Sequence, residues 1–156
     1  MEKTLIILKP DTLQRGLAGR IITRFEEKGF QILAMKLMQV PKELAEKHYA
    51  VHKEKPFYSR LVSYITSSPV LVMVLQANNA ITVSRKMMGA TFGSKAEPGT
   101  VRGDFGLSNS FNLIHGSDSP EAAAFEIGLY FKPEDLLRYE RAGEKWIYDM
   151  SGSEPE

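Results

Sequence analysis

The residues best suited to covalent chemistry stand in Asn112–Ser119, which reads Asn-Leu-Ile-His-Gly-Ser-Asp-Ser. Leu113 and Ile114 form a short apolar run into His115, and Gly116 lets the backbone turn. Ser119-Pro120 is a helix start, with an N-cap serine and a proline at the first helical position. A short buried strand is therefore expected to present His115 at its carboxyl end, just before a helix N-terminus. The free N–H groups and partial positive charge of such an end suit an anion. An imidazole with a pKa near ~6.5 is largely neutral at pH 7 and can attack phosphorus. A carboxylate on one ring nitrogen would fix the tautomer and turn the other nitrogen toward the phosphoryl group. Glu126 and Asp118 are the candidates for it. The alternative for His115 is a satisfied histidine at a strand end.

A phosphoryl group in transit also needs positive charge around it, from arginines, lysines or a magnesium ion. Lys9 ends the apolar run Thr4–Leu8, at the strand end where open α/β sheets hold ligands. Arg85 falls in the last turn of a helical stretch, Ala80–Met88. Arg102 stands in Gly99-Thr100-Val101-Arg102-Gly103-Asp104, where glycines permit tight turns around one guanidinium, a bidentate donor matched to phosphate. Each has a structural alternative: a solvated lysine, a cation complementing a helix dipole, and an Arg102–Asp104 bridge.

Other chemistries are excluded. The chain has no cysteine, hence no disulfide, thiolate nucleophile or Cys-ligated metal. It has no Gly-x-x-x-x-Gly-Lys-Ser/Thr, no Gly-x-Gly-x-x-Gly after a strand, no Gly-x-Ser-x-Gly and no zinc-site histidine spacing. With 20 Lys+Arg against 19 Asp+Glu the net charge is +1, which gives no reason to expect nucleic acid or a membrane surface as partner. The longest apolar run, near Val70–Leu75, is too short to span a bilayer.

Elements must carry these side chains. Thr4–Leu8 reads as a buried strand stopped by Pro10. Leu17–Lys28 is predicted helical, with Leu17, Ile21, Ile22 and Phe25 inward and a stop at Gly29. Phe30–Val40 alternates, with Phe30, Ile32, Ala34, Met38 and Val40 on one face and Leu33, Met35 and Leu37 on the other. Apolar residues on both faces predict a strand in mid-sheet or in a subunit interface. Pro41 opens a helix to about Val51, on which Tyr49 and His52 are i, i+3 neighbours that line a pocket or pack. His48, beside charged neighbours, reads as a surface residue. A helix from Pro56 to about Thr66 turns Leu61, Val62 and Ile65 inward. Phe57, off that stripe, is a packing residue or an exposed aromatic platform. Val70–Leu75 is a strand buried on both faces, and Asn78 or Asn79 caps the helix Ala80–Met88. Gly89–Ser110 is irregular and long, a functional candidate. The helix from Pro120 to about Leu129 is expected to pack through Ala122, Phe125 and Leu129, with Glu126 beside them. Glu134–Arg141 is predicted as a short polar helix. Trp146-Ile147-Tyr148 is an apolar patch that needs covering. The order fits a split βαβ sandwich, with a doubly wound parallel sheet as competitor.

Taken together, the segments resemble the nucleoside diphosphate kinase family nearly end to end. The resemblance rests on Thr4–Arg15 (TLIILKPDTLQR), Arg24–Phe30 (RFEEKGF), Lys47–Tyr58 (KHYAVHKEKPFY), Arg85–Gly89 (RKMMG), Pro98–Phe105 (PGTVRGDF) and Asn112–Ser119 (NLIHGSDS). It implies an α/β (α+β) sandwich, ferredoxin-like, with a split βαβ unit, a four-stranded antiparallel sheet and extra helices. Residues 1–150 would form the single domain and 151–156 a polar tail. The implied reaction is ping-pong: a nucleoside triphosphate gives its γ-phosphate to His115, and a nucleoside diphosphate takes it. ATP, GTP and deoxynucleoside diphosphates are the implied partners. Mg²⁺ is the implied cofactor, held mainly by the nucleotide's phosphates rather than by protein ligands. Glu126, with Ser117, would orient the ring of His115. Lys9 and Asn112 would meet the sugar, with Lys9 also near the phosphates, and Tyr49 would border the catalytic pocket. Phe57 would stack on the base. Arg85, Thr91 and Arg102 would hold the phosphates, with His52 a further contact seen in some members. The assembly implied is a homo-oligomer, a hexamer with a tetramer as the alternative, in the cytoplasm. Two departures stand out: Phe92-Gly93 follows Thr91 where the family often has Asn-Pro, and Asn109 stands where an apolar residue commonly covers the base.

Overall fold

The computed structural model describes Met1–Glu156. Its centre is β1 (Glu2–Leu8), whose Leu5, Ile6, Ile7 and Leu8 are all fully buried. Burying one such side chain is worth about 1.5–3 kcal/mol, so four in a row place this strand inside the sheet. With β2 (Gln31–Met38), β3 (Val70–Ala77) and β4 (Ile114–Gly116), it forms a four-stranded sheet in the order β2-β3-β1-β4, every neighbouring pair antiparallel. The parallel competitor is thereby excluded, and the split βαβ sandwich stands.

Seven helices accompany the sheet: α1 (Pro10–Gln14), α2 (Ala18–Lys28), α3 (Lys42–His48), α4 (Tyr58–Ile65), α5 (Ala80–Met88), α6 (Val101–Phe105) and α7 (Pro120–Tyr130). Alternate residues of β1 enter different cores. Ile6 and Leu8 meet Ile21 and Phe25 of α2 and Ala80 and Met88 of α5. Leu5 and Ile7 meet Ala45 of α3, Val62 and Ile65 of α4 and Tyr130 of α7. Two helical layers thus sandwich the sheet. No helix is long and apolar enough to cross a membrane.

Several boundaries depart from expectation for identifiable reasons. Pro10 does not merely stop β1; it occupies the first turn of α1, where its missing N–H is harmless. The strand β2 is an edge strand rather than a mid-sheet one. A register shift between Ile32 and Ala34 interrupts its alternation: Phe30 and Ile32 face the α2/α5 core, whereas Leu33, Ala34, Met38 and Val40 face the other. The interface alternative is the one compatible with Met35 and Leu37, which remain exposed. Glu134–Arg141 is not a helix. Beyond a single 3₁₀ turn at Pro133–Asp135 it runs beside β2, with Leu137 N–H donating to the Leu33 carbonyl and the Tyr139 hydroxyl to that of Ile32. Backbone pairing at the bulge outweighs its helical pattern. Asn79 is the N-cap residue of α5, but its side chain caps nothing; the Glu2 carboxylate accepts the Ile81 N–H instead. The face of α7 that packs is Ala123, Glu126 and Tyr130, one step around from the expected stripe, and Phe125 is exposed. That rotation puts Glu126 inside.

Candidate active site

In β4 the residues alternate. Ile114 goes to the α2/α5 core, so His115 turns to the opposite layer, toward α3 and α7. His115 lies within the strand, paired with Ile7, rather than just past its end. There the helix α7 supplies Glu126. The His115 Nε2 and Glu126 Oε1 atoms are 2.5 Å apart, with Oε2 at 3.2 Å. Of the two carboxylates considered, it is Glu126 that meets the ring; Asp118 is exposed. The buried Ser117 hydroxyl donates toward both Glu126 oxygens at 3.4 Å and accepts from Leu5 N–H. Ser119 caps α7 by accepting the Ala122 N–H, with Pro120 behind it, so the helix that carries Glu126 starts where the sequence indicates.

His48 overturns its reading as a surface residue. Its side chain is 4% exposed, and its ring lies 4.6 Å from that of His115 between Tyr49 and Tyr130. The Nδ1 atom pairs with the Tyr130 hydroxyl at 2.9 Å, while Nε2 stands 4.0 Å from Glu126 Oε1. The signal was present: Leu44, Ala45, His48 and Tyr49 lie at the spacing of one helix face. Charged neighbours on the other face masked it. The ligand atoms of His48, His115 and Glu126 fall within 4.8 Å of one another, a spacing compatible with a metal ion, though the close His115–Glu126 hydrogen bond already uses that pair.

Burial governs the charge states. His115 is held well below the ordinary imidazole value, to about 3, by desolvation and then by the nearby Lys9, Arg102 and Arg85. His48 is likewise lowered to about 3 by burial and by His115. Burial raises Glu126 to about 6, so it remains a carboxylate at neutral pH. The cluster is therefore a neutral imidazole donating Nε2–H to a carboxylate, with Nδ1 free of protein partners.

Cations converge on the same place. Lys9 is buried and its Nζ donates to Asn112 Oδ1 at 2.7 Å; burial and Arg102 lower it to about 8. The Asn112 amide in turn donates to the Thr91 carbonyl at 3.0 Å, linking the irregular loop to the site. Arg102 is also buried. It does not pair with Asp104, which binds Arg24 at 2.5 Å and the Gly99 N–H. Instead its guanidinium donates to the carbonyls of Asn112, Gly89 and Ile114 at 3.1, 3.0 and 2.6 Å. Those contacts tie the segment leading into His115 to the Gly89 turn after α5. Gly103 is required there, because a Cβ would lie 1.8 Å from the Glu97 carbonyl oxygen. Arg85 is exposed and donates to the Gly116 carbonyl at 3.2 Å, beside an open cleft of about 700 Å³ that Lys86, Lys95 and Asp118 also line.

Tyr49 is buried against His48. His52 and Phe57 lie apart from this cluster, on the α3–α4 connection, with ring centroids 5.5 Å apart and Phe57 39% exposed. The structure thus joins His115, Glu126, Ser117, Lys9, Asn112, Tyr49, Thr91, Arg85 and Arg102. It leaves Phe57 and His52 as an aromatic platform at the rim. Asn109 is tied to Ser94, which donates to its Oδ1 at 2.8 Å.

Residues 2–136 match the family described as nucleoside diphosphate kinase. A nucleoside diphosphate kinase of Carboxydothermus hydrogenoformans is 54% identical over 149 residues, covering 96% of this chain and all of the relative. One from Archaeoglobus fulgidus is 52% identical, covering 96% and 99%. Among solved structures, a halophilic nucleoside diphosphate kinase from Halobacterium salinarum in complex with CDP superimposes with a TM-score of 0.92 at 45% identity, covering 95% of this chain and 99% of that one. A family protein from Babesia bovis gives 0.91 at 42% identity, covering 95% and all of its chain.

Proposed function

We propose how this site works from one premise: the chain belongs to the nucleoside diphosphate kinase family. It is an enzyme that moves the γ-phosphate of a nucleoside triphosphate to a nucleoside diphosphate, through a phosphohistidine. In our reading the nucleophile is Nδ1 of His115. The close Nε2–Glu126 pairing carries that assignment, because it leaves the lone pair on the other nitrogen. As Nδ1 bonds to phosphorus and the bond from phosphorus to the bridging oxygen breaks, the diphosphate leaves with the bond's electrons. The ring gains positive charge, which Glu126 shares through the Nε2 proton. Ser117 fixes the carboxylate. The second half runs in reverse: an incoming diphosphate's terminal oxygen attacks, and the N–P bond breaks.

Lys9, Arg85 and Arg102 offset charge on the phosphates, Thr91 lies against them, and Lys9 with Asn112 meets the sugar. Tyr49 closes the pocket wall. Phe57 stacks on the base, with His52 at its edge. As a nucleotide kinase the enzyme uses a divalent cation, and we take it to be Mg²⁺. The cleft offers the cations Arg85, Lys86 and Lys95 and two solvent-facing carboxylates, Glu97 and Asp118, a sparse oxygen set that fits an ion arriving already bound to the phosphates. That ion would offset charge on the phosphoryl oxygens. The partners are ATP, GTP and deoxynucleoside diphosphates, in a cytoplasmic setting. The chain works as a hexamer in this reading. The stretch of the β2 edge beyond the Leu137–Leu33 bond, with exposed Met35 and Leu37, and Trp146 at 84% exposure, support burial against other copies.

Incubation with γ-labelled ATP tests the assignment. Wild-type protein should acquire an acid-labile, alkali-stable label that His115→Ala lacks. A folded His115→Ala protein that still labels overturns it.

A further inference from the structure

Two non-glycine residues have positive φ, and only one of them, Leu113, is buried. Leu113 stands at φ 71°, and across it the Ile114 N–H donates to the Asn112 carbonyl at 2.8 Å. This is a γ-turn of the rare, strained kind. A residue with a Cβ held there costs about 1–3 kcal/mol, and it persists only where the surroundings over-determine it.

The surroundings are identifiable. Asp11 Oδ2 accepts the Leu113 N–H at 3.1 Å. The Thr12 hydroxyl and the Lys9 N–H both donate to the Leu113 carbonyl, at 2.6 and 2.8 Å. The Lys9–Thr12 turn therefore grips both main-chain polar groups of the strained residue. The second Asp11 oxygen accepts the hydroxyl of Tyr64, from α4.

The turn has a geometric consequence. Side chains three positions apart on a regular strand project from opposite faces. Asn112 and His115 are three apart, yet both lie beside Lys9, whose Nζ donates to Asn112 Oδ1 and whose charge acts on His115. A single left-handed residue between them reverses the alternation.

We infer that Asp11 is a positioning residue: it holds the strained turn at Leu113 that aims both Asn112 and His115, and Tyr64 holds Asp11 in place from α4. The inference rests on His115 as the nucleophile. Asp11 touches no reacting atom.

The test measures single-turnover labelling of His115 by ATP and by phosphoramidate, a phosphoryl donor with neither base nor sugar. Asp11→Ala should slow both donors by about 100-fold, the scale of a nucleophile misplaced by an ångström. A merely structural role would lower stability and leave the phosphoramidate rate of the folded protein unchanged. Asp11→Asn can still accept from the Leu113 N–H and can donate to the Tyr64 oxygen, so it should recover to within about three-fold of wild type on the same scale. Tyr64→Phe should slow both donors by a smaller factor, about three- to ten-fold. Should Asp11→Ala fail to fold, the near-isosteric Thr12→Val decides, with both donors slowed by about ten-fold. Wild-type rates in these variants overturn the inference. So does an Asp11→Asn rate as low as that of Asp11→Ala, since charge would then be what matters. A wild-type protein that neither donor labels overturns the nucleophile itself, a different failure.

Discussion

Removing the guanidinium of Arg102 should cost the protein stability as well as rate. The residue is 5% exposed and donates to three main-chain carbonyls, of Asn112, Gly89 and Ile114. A hydrogen bond to a charged group is worth about 1.5–3 kcal/mol, and a buried acceptor left unpaired loses a comparable amount. Three such bonds sum to ~4.5 kcal/mol or more before relaxation. Water reaching part of the vacated space reduces this, and we expect Arg102→Ala to lose about 3 kcal/mol or more of an unfolding free energy typically of 5–15. For a chain of this size that is roughly 6–12 °C in Tm. Urea unfolding followed by far-ultraviolet circular dichroism is the assay, at fixed protein concentration because assembly adds to apparent stability. Labelling by γ-labelled ATP below the unfolding transition should fall in parallel. Arg102→Lys keeps the charge but not the planar fork, so it should lie between the two in stability. An inactive Arg102→Ala whose unfolding free energy matches wild type within about 0.5 kcal/mol would refute the reasoning: the carbonyl contacts would then be idle.

Glu126→Gln should slow phosphorylation and flatten its pH dependence. Wild type should lose rate as pH falls through about 6, where Glu126 protonates; a limb near ~6.5 that persists in the variant would mean that His115 titrates as an ordinary histidine. His48 binds a proton in the unfolded chain below about 6.5 but in the folded one only near 3. Stability should therefore fall with pH across that window, at up to ~1.4 kcal/mol per pH unit from this group, partly offset by Glu126 as it protonates between about 6 and 4.5. In urea titrations at a series of pH values His48→Asn should show a shallower fall, and an equal slope would refute the origin. Phe57→Ala should raise KM for every nucleoside diphosphate by a similar factor, about ten-fold for the loss of one stacking face; a change confined to one base would show edge recognition. Leu37→Glu, on the open edge of β2, should lower the mass seen by light scattering, and an unchanged mass would place the subunit contact elsewhere.

The chain's core elements were legible because their patterns are local. Four aliphatic residues before a proline mark β1, and a serine-proline pair marks the start of α7. What escaped depends on partners distant in sequence. The bulge in β2 and the failure of Glu134–Arg141 to become a helix are one event, in which Leu137 and Tyr139 bond to the carbonyls of Leu33 and Ile32 across a separation of about a hundred residues. The rotation of α7 by one step follows from what its inward face must reach: Glu126 has to meet a histidine and a serine, and Tyr130 a second histidine. A hydrophobicity pattern counts a buried glutamate as outward and so points to Phe125 instead. His48 failed for the same reason in reverse, since its polar neighbours lie on the solvent face of α3. The histidine, its carboxylate and the cations gathered near it were visible in the motifs, but that Arg102 donates to three main-chain carbonyls was not.

The distribution of burial across the site separates what it must fix from what it can leave loose. Around the histidine most groups are buried and cross-tied, with Arg85 and Thr91 the exposed exceptions: the imidazole against a carboxylate, Lys9 against Asn112, Arg102 against three carbonyls and Leu113 in a strained turn gripped by Asp11 and Thr12. Such groups cannot reorient when charge develops, so their dipoles are in place beforehand. The side proposed for the base is the reverse. Phe57 stands exposed on the connection between two short helices, with His52 as its aromatic neighbour. An exposed ring offers a stacking face that every base can use and no buried donor or acceptor to be left unpaired by the wrong one. A rigid phosphate end and a tolerant base end are what an enzyme needs if it is to pass one group among many nucleosides, and here both follow from where the chain places polar partners.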